Sequence, residues 1–464
     1  MVFSSLTFLI FFMPLCALAY FLCGNRVYRN TVLLVFSLLF YSWGEPKSIV
    51  LIVLAAVEAY FGGLAISRLD GTKWKKPVFI AAVTLITGNL VVFKYLNFAV
   101  DTAEALTGLD FAFKEIALPI GISFYTFQIL SYIIDLYRGE IALQRNPFYL
   151  MLYVTFFPQL IAGPIVRYKT IEEEITLRSE SLSEAAAGCR RFITGLAKKV
   201  IIANNVAKVA EIVYSSSVEE YGTLMFWIAA LAYTFQIYFD FSGYSDMAIG
   251  LGRIFGFHFM ENFDYPYTAD SITDFWRRWH ISLSRWFRDY IYIPLGGGRT
   301  TRLKWVRNIL VVWSLTGLWH GADWNFVIWG LYFAALLVLE KLLLSKVLER
   351  LPRFVRWLYT FALVNVSWVI FNLTDISQML RALGMMLCYR HTDVLGVILA
   401  DPSIMNAALY LPLAFVFSFP VAKVVGRRFR IPELLRNLAC LALLALSMAY
   451  IASSSFNPFI YFRF

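Results

Sequence analysis

Four histidines occur in this 464-residue chain, and two of them stand in frames that suit chemistry. His280 lies within 275–297, FWRRWHISLSRWFRDYIYIPLGG, and His320 within 317–330, GLWHGADWNFVIWG. Both frames are oily and rich in tryptophan. Read as one helix, the first puts Trp276, Trp279, His280, Leu283, Trp286, Phe287 and Tyr290 on a single face. Arg277, Arg278, Ser282, Arg285, Arg288 and Asp289 fall largely opposite. His320 ends an apolar run between Gly317 and Gly321, small neighbours that let a backbone or a ligand come close. A neutral imidazole removes a proton from a hydroxyl as it attacks a carbonyl, then returns it to the leaving group. Burial lowers a histidine's pKa and keeps that base form available. Arginines beside the site suit a phosphate-bearing donor. Acyl transfer from a thioester such as acyl-CoA fits these parts, with both imidazoles sharing one water-poor passage. A metal is the rival use of a histidine pair, but no third ligand is evident.

Each residue also has a plainer reading. His320 could be satisfied by a buried hydrogen bond, and His280 could simply donate to a carbonyl. His258, after the GRIFGF turn, and His391, in YRHTD, read as surface or interfacial groups. The tract QIYFDFSGYSDMAIGLG places Asp240, Ser242, Tyr244, Ser245 and Asp246 between oily flanks, which reads as a broken helix lining a cavity. As catalysts Asp240 and Asp246 are outweighed by a structural reading; as cavity walls they join Ser242, Tyr244, Trp319 and Asn325. No G-x-S-x-G elbow, Walker loop, GxGxxG fingerprint or HExxH is present.

The elements that must position these residues are transmembrane helices. The chain is 59% hydrophobic and only 16% charged, against about 45–50% and about 25% in soluble domains. Its apolar residues gather into runs near 2–22, 31–43, 47–66, 78–99, 116–135, 147–163, 192–213, 222–241, 305–319, 322–340, 355–372, 404–422 and 433–453. An all-α polytopic protein follows, with about 11–13 helices; runs shorter than about 20 residues are tilted, paired or re-entrant. The expectation is one integral domain over 1–464, with a cytoplasmic amphipathic segment at 167–200, a helix start at Ser183–Glu184, and an interfacial or re-entrant segment at 274–307. A net charge of +10 reports positive-inside bias and contact with anionic lipid, not nucleic-acid binding. Loops at 26–29, 68–76, 138–145, 167–199 and 277–307 are basic and so cytoplasmic, which puts the N-terminus outside; Arg427, Arg428 and Arg430 fall inside again. The run 2–22 reads as a retained span and not a removed signal peptide. Five scattered cysteines form no CxxC pair, so neither a disulfide framework nor a zinc site is indicated.

The residues resemble, nearly end to end, the membrane-bound O-acyltransferase (MBOAT) superfamily, in its bacterial alginate O-acetylation branch. The resemblance is carried by MVFSS at the start, LPIGISFYTFQILSYIIDLYRG (118–139), FFPQLIAGPIVR (156–167), YFDFSGYSDMAIGLGRIFGF (238–257), ENFDYPY (261–267), the 275–297 stretch, GLWHGADWNF (317–326) and the terminal FIYFRF. It implies a helical fold in the bacterial cytoplasmic membrane with a central tunnel. The family's invariant histidine falls on His320, as general base or acyl relay. Its second position, Asn or His by branch, falls on His280, which orients or assists. Trp276 would line the mouth, and Arg277, Arg278, Arg285 and Arg288 would steer the donor. The resemblance further implies acetyl-CoA as donor substrate, no bound cofactor, and a partner acetyltransferase on the outer side. The acceptor would be an exopolysaccharide such as alginate, cellulose, or peptidoglycan. A sister branch moving D-alanine to teichoic acid shares both histidines. A glycan or lipid transporter is a rival from the residues alone, but the charges cluster at one face and no paired interrupted helices mark matching halves. A scaffold without chemistry is the third reading.

Overall fold

The structure, a computed structural model, describes residues 1–216, 220–429 and 432–453; the terminal FIYFRF, Arg430 and the end of the 211–219 loop lie outside the described residues. Every regular element among them is helical. Six helices are long and apolar enough to cross a membrane: Ile49–Arg68, Lys75–Thr107, Thr223–Ile254, Trp324–Arg350, Arg353–Asn372 and Glu433–Ser453. A pair bent by 111°, Val394–Ala400 with Pro402–Phe417, makes a seventh if it counts as one span. Helices suit this setting because they satisfy every backbone group within the segment, which hydrocarbon requires. The remaining apolar runs fold as shorter or charge-ended helices. The 147–163 run divides at Phe156 into Pro147–Thr155 and Phe157–Leu160. Neither piece has the roughly 20 residues a span needs.

The chain groups into two compact units. The first, residues 1–192 and 247–260, is pinned by Arg178. This buried guanidinium donates to Tyr20 Oη (3.2 Å), Phe255 O (3.0 Å), Ile175 O (3.1 Å) and Asn30 Oδ1 (2.7 Å). Glu180 beside it pairs with Arg26 (2.5 Å) and Arg29 (2.8 Å). The helices of the amphipathic segment start at Tyr168 and Leu182. Ser181, not Ser183, caps the second, accepting from the Glu184 amide at 3.1 Å.

The second unit, residues 193–246 and 261–464, holds both histidines. Helix α1 (Thr223–Ile254, 32 residues) supplies its Thr223–Asp246 part. The expected break in this helix is absent: the QIYFDFSGYSDMAIGLG tract is continuous helix. The acids are met by side chains instead of freed backbone. Lys199 pairs with Asp240 at 2.8 Å and Lys198 with Asp246 at 2.6 Å. Short helices α2 (Ile272–Arg278) and α3 (Ile281–Phe287) follow. Then come α4 (Arg302–His320), α5 (Trp324–Arg350) and α6 (Arg353–Asn372). Helices α4 and α5 form a hairpin in backbone contact: a Cβ on Gly317 would overlap the Phe326 carbonyl, and one on Gly330 the Trp313 carbonyl.

Candidate active site

The single amphipathic helix expected across 275–290 is two helices broken at His280. His280 sits in the left-handed region, φ 44°, ψ 55°, a conformation that costs a non-glycine residue about 1–2 kcal/mol and persists only where its surroundings hold it. Asn262 holds it. The Ile281 amide donates to Asn262 O (3.0 Å) and the Ser282 amide to Asn262 Oδ1 (3.2 Å). The Asp264 amide takes the Arg278 carbonyl (3.0 Å). The turn thus spends its hydrogen bonds on 262–264 and not on the helix ladder. The periodicity still chose the right face: Trp276, Trp279, His280, Leu283, Trp286, Phe287 and Tyr290 are all buried, while Arg277, Arg285 and Arg288 are exposed.

His320 is the last residue of α4, where Gly321 turns to extended backbone (φ −167°) and Asp323 caps α5 through the Trp324 amide. The imidazole is 4% exposed. It packs edge-on against Trp319 (centroids 4.9 Å), Trp329 (5.0 Å) and Phe371 (5.3 Å). His280, fully buried, lies 5.7 Å from the same Trp319 ring and 4.7 Å from Phe241 of α1. Trp319 therefore touches both imidazoles, and their separation cannot exceed the sum of its two distances. Residues forty apart in sequence pack against one tryptophan.

Four of the buried polar atoms without a hydrogen-bond partner among the described residues belong to this site. They are His280 Nε2, the indole nitrogens of Trp276 and Trp329, and Asn325 Oδ1. Asn325 is oriented by its amide nitrogen, which donates to Phe371 O (2.9 Å) and Ile370 O (3.3 Å). Trp276 packs on Trp313 (4.6 Å), Phe333 (4.9 Å) and Trp329 (5.7 Å). A buried polar group left unmet costs about 1–3 kcal/mol. Burial alone pushes the His280 pKa down to about 3, which keeps the ring neutral and able to accept a proton.

Of the expected donor-steering arginines, two are engaged locally: Arg278 with Asp274 (2.9 Å) and Arg288 with Asp289 (2.6 Å). Arg277 and Arg285 are exposed and stay available to an anion. From the α1 tract it is Phe241, and not a carboxylate, that meets His280; Ser242 and Tyr244 are buried on the same helix, and Asp240 and Asp246 are held by lysines.

Two positioning residues escaped the sequence reading. Asn262 was only part of a quoted motif. Glu340 stands at the end of the apolar run 322–340. Its buried carboxylate accepts from the amides of Ile272 (2.8 Å) and Thr273 (3.4 Å), the first turn of the helix that delivers Trp276 and His280. A carboxylate there satisfies orphan amides and complements the helix dipole. A lone acid at the end of a membrane helix was the signal available. Glu340→Ala is expected to lower stability by about 1–3 kcal/mol, read as a fall in melting temperature in detergent, with Glu340→Gln restoring part of it.

A polytopic helical protein with two buried imidazoles around one tryptophan, and arginines exposed on the segment that carries one of them, is built as a membrane acyltransferase. Residues 140–380, which hold both histidines, match the family described as MBOAT, membrane-bound O-acyltransferase family, and the chain belongs to it. It is 39% identical to the probable alginate O-acetylase AlgI of Azotobacter vinelandii and 38% identical to that of Pseudomonas putida, each over 100% of both chains. It is 31% identical to the peptidoglycan O-acetyltransferase of Helicobacter pylori, over 100% of this chain and 98% of the relative. The chain is thus a multi-pass membrane acyltransferase whose relatives O-acetylate polysaccharides.

Proposed function

We propose that the protein takes an acetyl group from acetyl-CoA in the cytoplasm and passes it across the cytoplasmic membrane for O-acetylation of an extracytoplasmic, alginate-like polysaccharide, by way of an acetyltransferase partner outside. The observation that carries this reading is the pair of buried imidazoles on either side of Trp319. The names of the full-length relatives support the acetyl group and the polymer class. His320 and His280 together supply the proton transfers; the aromatic walls keep water from the thioester. The basic loops support a reading with the N-terminus outside and the site's arginines on the cytoplasmic side, facing the donor.

Feeding labelled acetyl-CoA to membranes carrying the protein tests it: alkali-labile label on polymer supports the reading, and glycan movement without acyl turnover contradicts it. Donor steering has its own check. Arg277→Ala with Arg285→Ala is expected to raise KM for acetyl-CoA by about 5–25-fold, from about 1 kcal/mol per exposed charge-assisted contact, with kcat little changed. The difference should shrink at high salt; a fall in kcat at constant KM would contradict steering.

A further inference from the structure

Helix α7 (Val421–Arg428, eight residues) joins the apolar helices Tyr410–Phe417 and Glu433–Ser453. At about 1.5 Å per residue it is far too short to cross hydrocarbon about 30 Å thick. Between two apolar neighbours it therefore lies at a membrane edge. Its two sides differ. Val421, Val424 and Val425 share one side at three- and four-residue steps, and Phe429 follows the last turn. They are 36%, 58%, 40% and 59% exposed. Lys423 and Arg427 share the other side, and Arg428 closes the helix, where its stem runs along the valines to headgroup level. No acid occurs between 420 and 429. An apolar strip edged by three cations fits a bilayer surface that carries acidic phospholipid. On the positive-inside reading this basic end faces the cytoplasmic leaflet, where such lipid is found.

The same helix reaches the loop that holds the His280 turn. Lys423 pairs with Asp264 (3.1 Å) and lies 4.7 Å over the Tyr265 ring. Tyr265 stands in the left-handed region, φ 46°, so this loop, like the turn, keeps its shape only while its surroundings hold it. Asn262 and Asp264 in turn bond the backbone on either side of His280, at Ile281, Ser282 and Arg278. A second strut enters just ahead of α7. Phe419 packs on Trp357 of α6 (6.3 Å), whose indole donates to the Tyr267 carbonyl (2.8 Å).

We propose that α7 is a docking surface for acidic phospholipid and that it passes this contact to the active site. Headgroups on Arg427 and Arg428 hold the helix on the membrane. Lys423 then stays on Asp264, and the 262–267 loop keeps the His280 turn in place. The rate effect rests on the acyl-transfer function above; the lipid contact does not. The Lys423–Asp264 pair is half exposed on both sides, and exposed pairs are weak, so the lipid effect on rate is bounded at about fivefold. Each arginine should change the affinity of α7 for an acidic surface by about fivefold.

The test places the full-length protein in vesicles of phosphatidylcholine alone and of phosphatidylcholine with an equal part of phosphatidylglycerol. Amide hydrogen exchange and acyl turnover at saturating acetyl-CoA are read in both. In wild type, phosphatidylglycerol is expected to slow exchange across 421–429 and 280–282 and to raise kcat by about two- to fivefold. High salt should shrink these differences. Arg427→Gln with Arg428→Gln should remove them. Lys423→Met should keep the slowed exchange of α7 and lose the effects at 280–282 and on kcat. These side chains are exposed, so the variants are expected to fold. Equal exchange of α7 in the two vesicles overturns the proposal. So does a raised KM for acetyl-CoA in the double variant in phosphatidylcholine alone, which would make the arginines a seat for the donor's phosphates. A Lys423→Met protein with the full lipid effect on kcat overturns the coupling. Slowed exchange without acyl turnover in either vesicle would instead sink the acyl-transfer function and leave the lipid surface standing.

Discussion

His320→Ala is expected to abolish polymer acetylation while the protein reaches the membrane in normal amount. His320 ends α4 at the hairpin with α5, and its ring lies within contact of Trp319, Trp329 and Phe371. The hairpin itself is held by backbone packing at Gly317 and Gly330, which the substitution leaves intact. The loss should therefore be chemical and not conformational. A positioned acid–base group contributes typically about 10²–10⁴-fold, and losing that factor brings a thioester acylation to background. Acetate released from polymer by alkali, set against the immunoblot signal of the membrane fraction, gives the answer. Wild-type acetylation in the variant would remove His320 from the chemistry.

The second large effect is at His280. His280→Ala is expected to lower acyl transfer as much as His320→Ala or somewhat less. The substitution is not a backbone experiment, since alanine meets the same left-handed cost of about 1–2 kcal/mol that histidine already bears. The Asn262 bonds to the Ile281 and Ser282 amides remain to hold the turn. What goes is the second imidazole packed on Trp319, so kcat should fall while KM for the donor holds. Steady-state rates from purified protein decide; a variant with unchanged kcat would make His280 a packing residue.

Much of this site was legible in the sequence because it lies in residue types. Two histidines in tryptophan-rich frames marked the chemistry, and the spacing of Trp276, Trp279, Leu283 and Trp286 marked the buried face. The break at His280 was not legible. A 3.6-residue pattern carries straight through it, and the cause, Asn262, sits 18 positions away. Glu340 acts across 68 positions, where no local signal points. The tract around Asp240 misled in the other direction. Its density of polar groups argued for a broken helix, but Lys198 and Lys199, counted with the basic loop 167–199, pair with its acids, and α1 runs unbroken. The basic face divided: Asp274 and Asp289 pair with Arg278 and Arg288, while Arg277 and Arg285 are exposed.

The most direct measurement is acetyl transfer from labelled acetyl-CoA in inverted membrane vesicles that enclose polymer and the outer acetyltransferase, with wild type, His320→Ala and His280→Ala at matched protein levels. The account predicts alkali-labile label inside wild-type vesicles, none above background with His320→Ala, and an equal or smaller loss with His280→Ala. Label at wild-type level with His320→Ala, or no transfer by the wild type with donor, outer acetyltransferase and polymer all present, would contradict it.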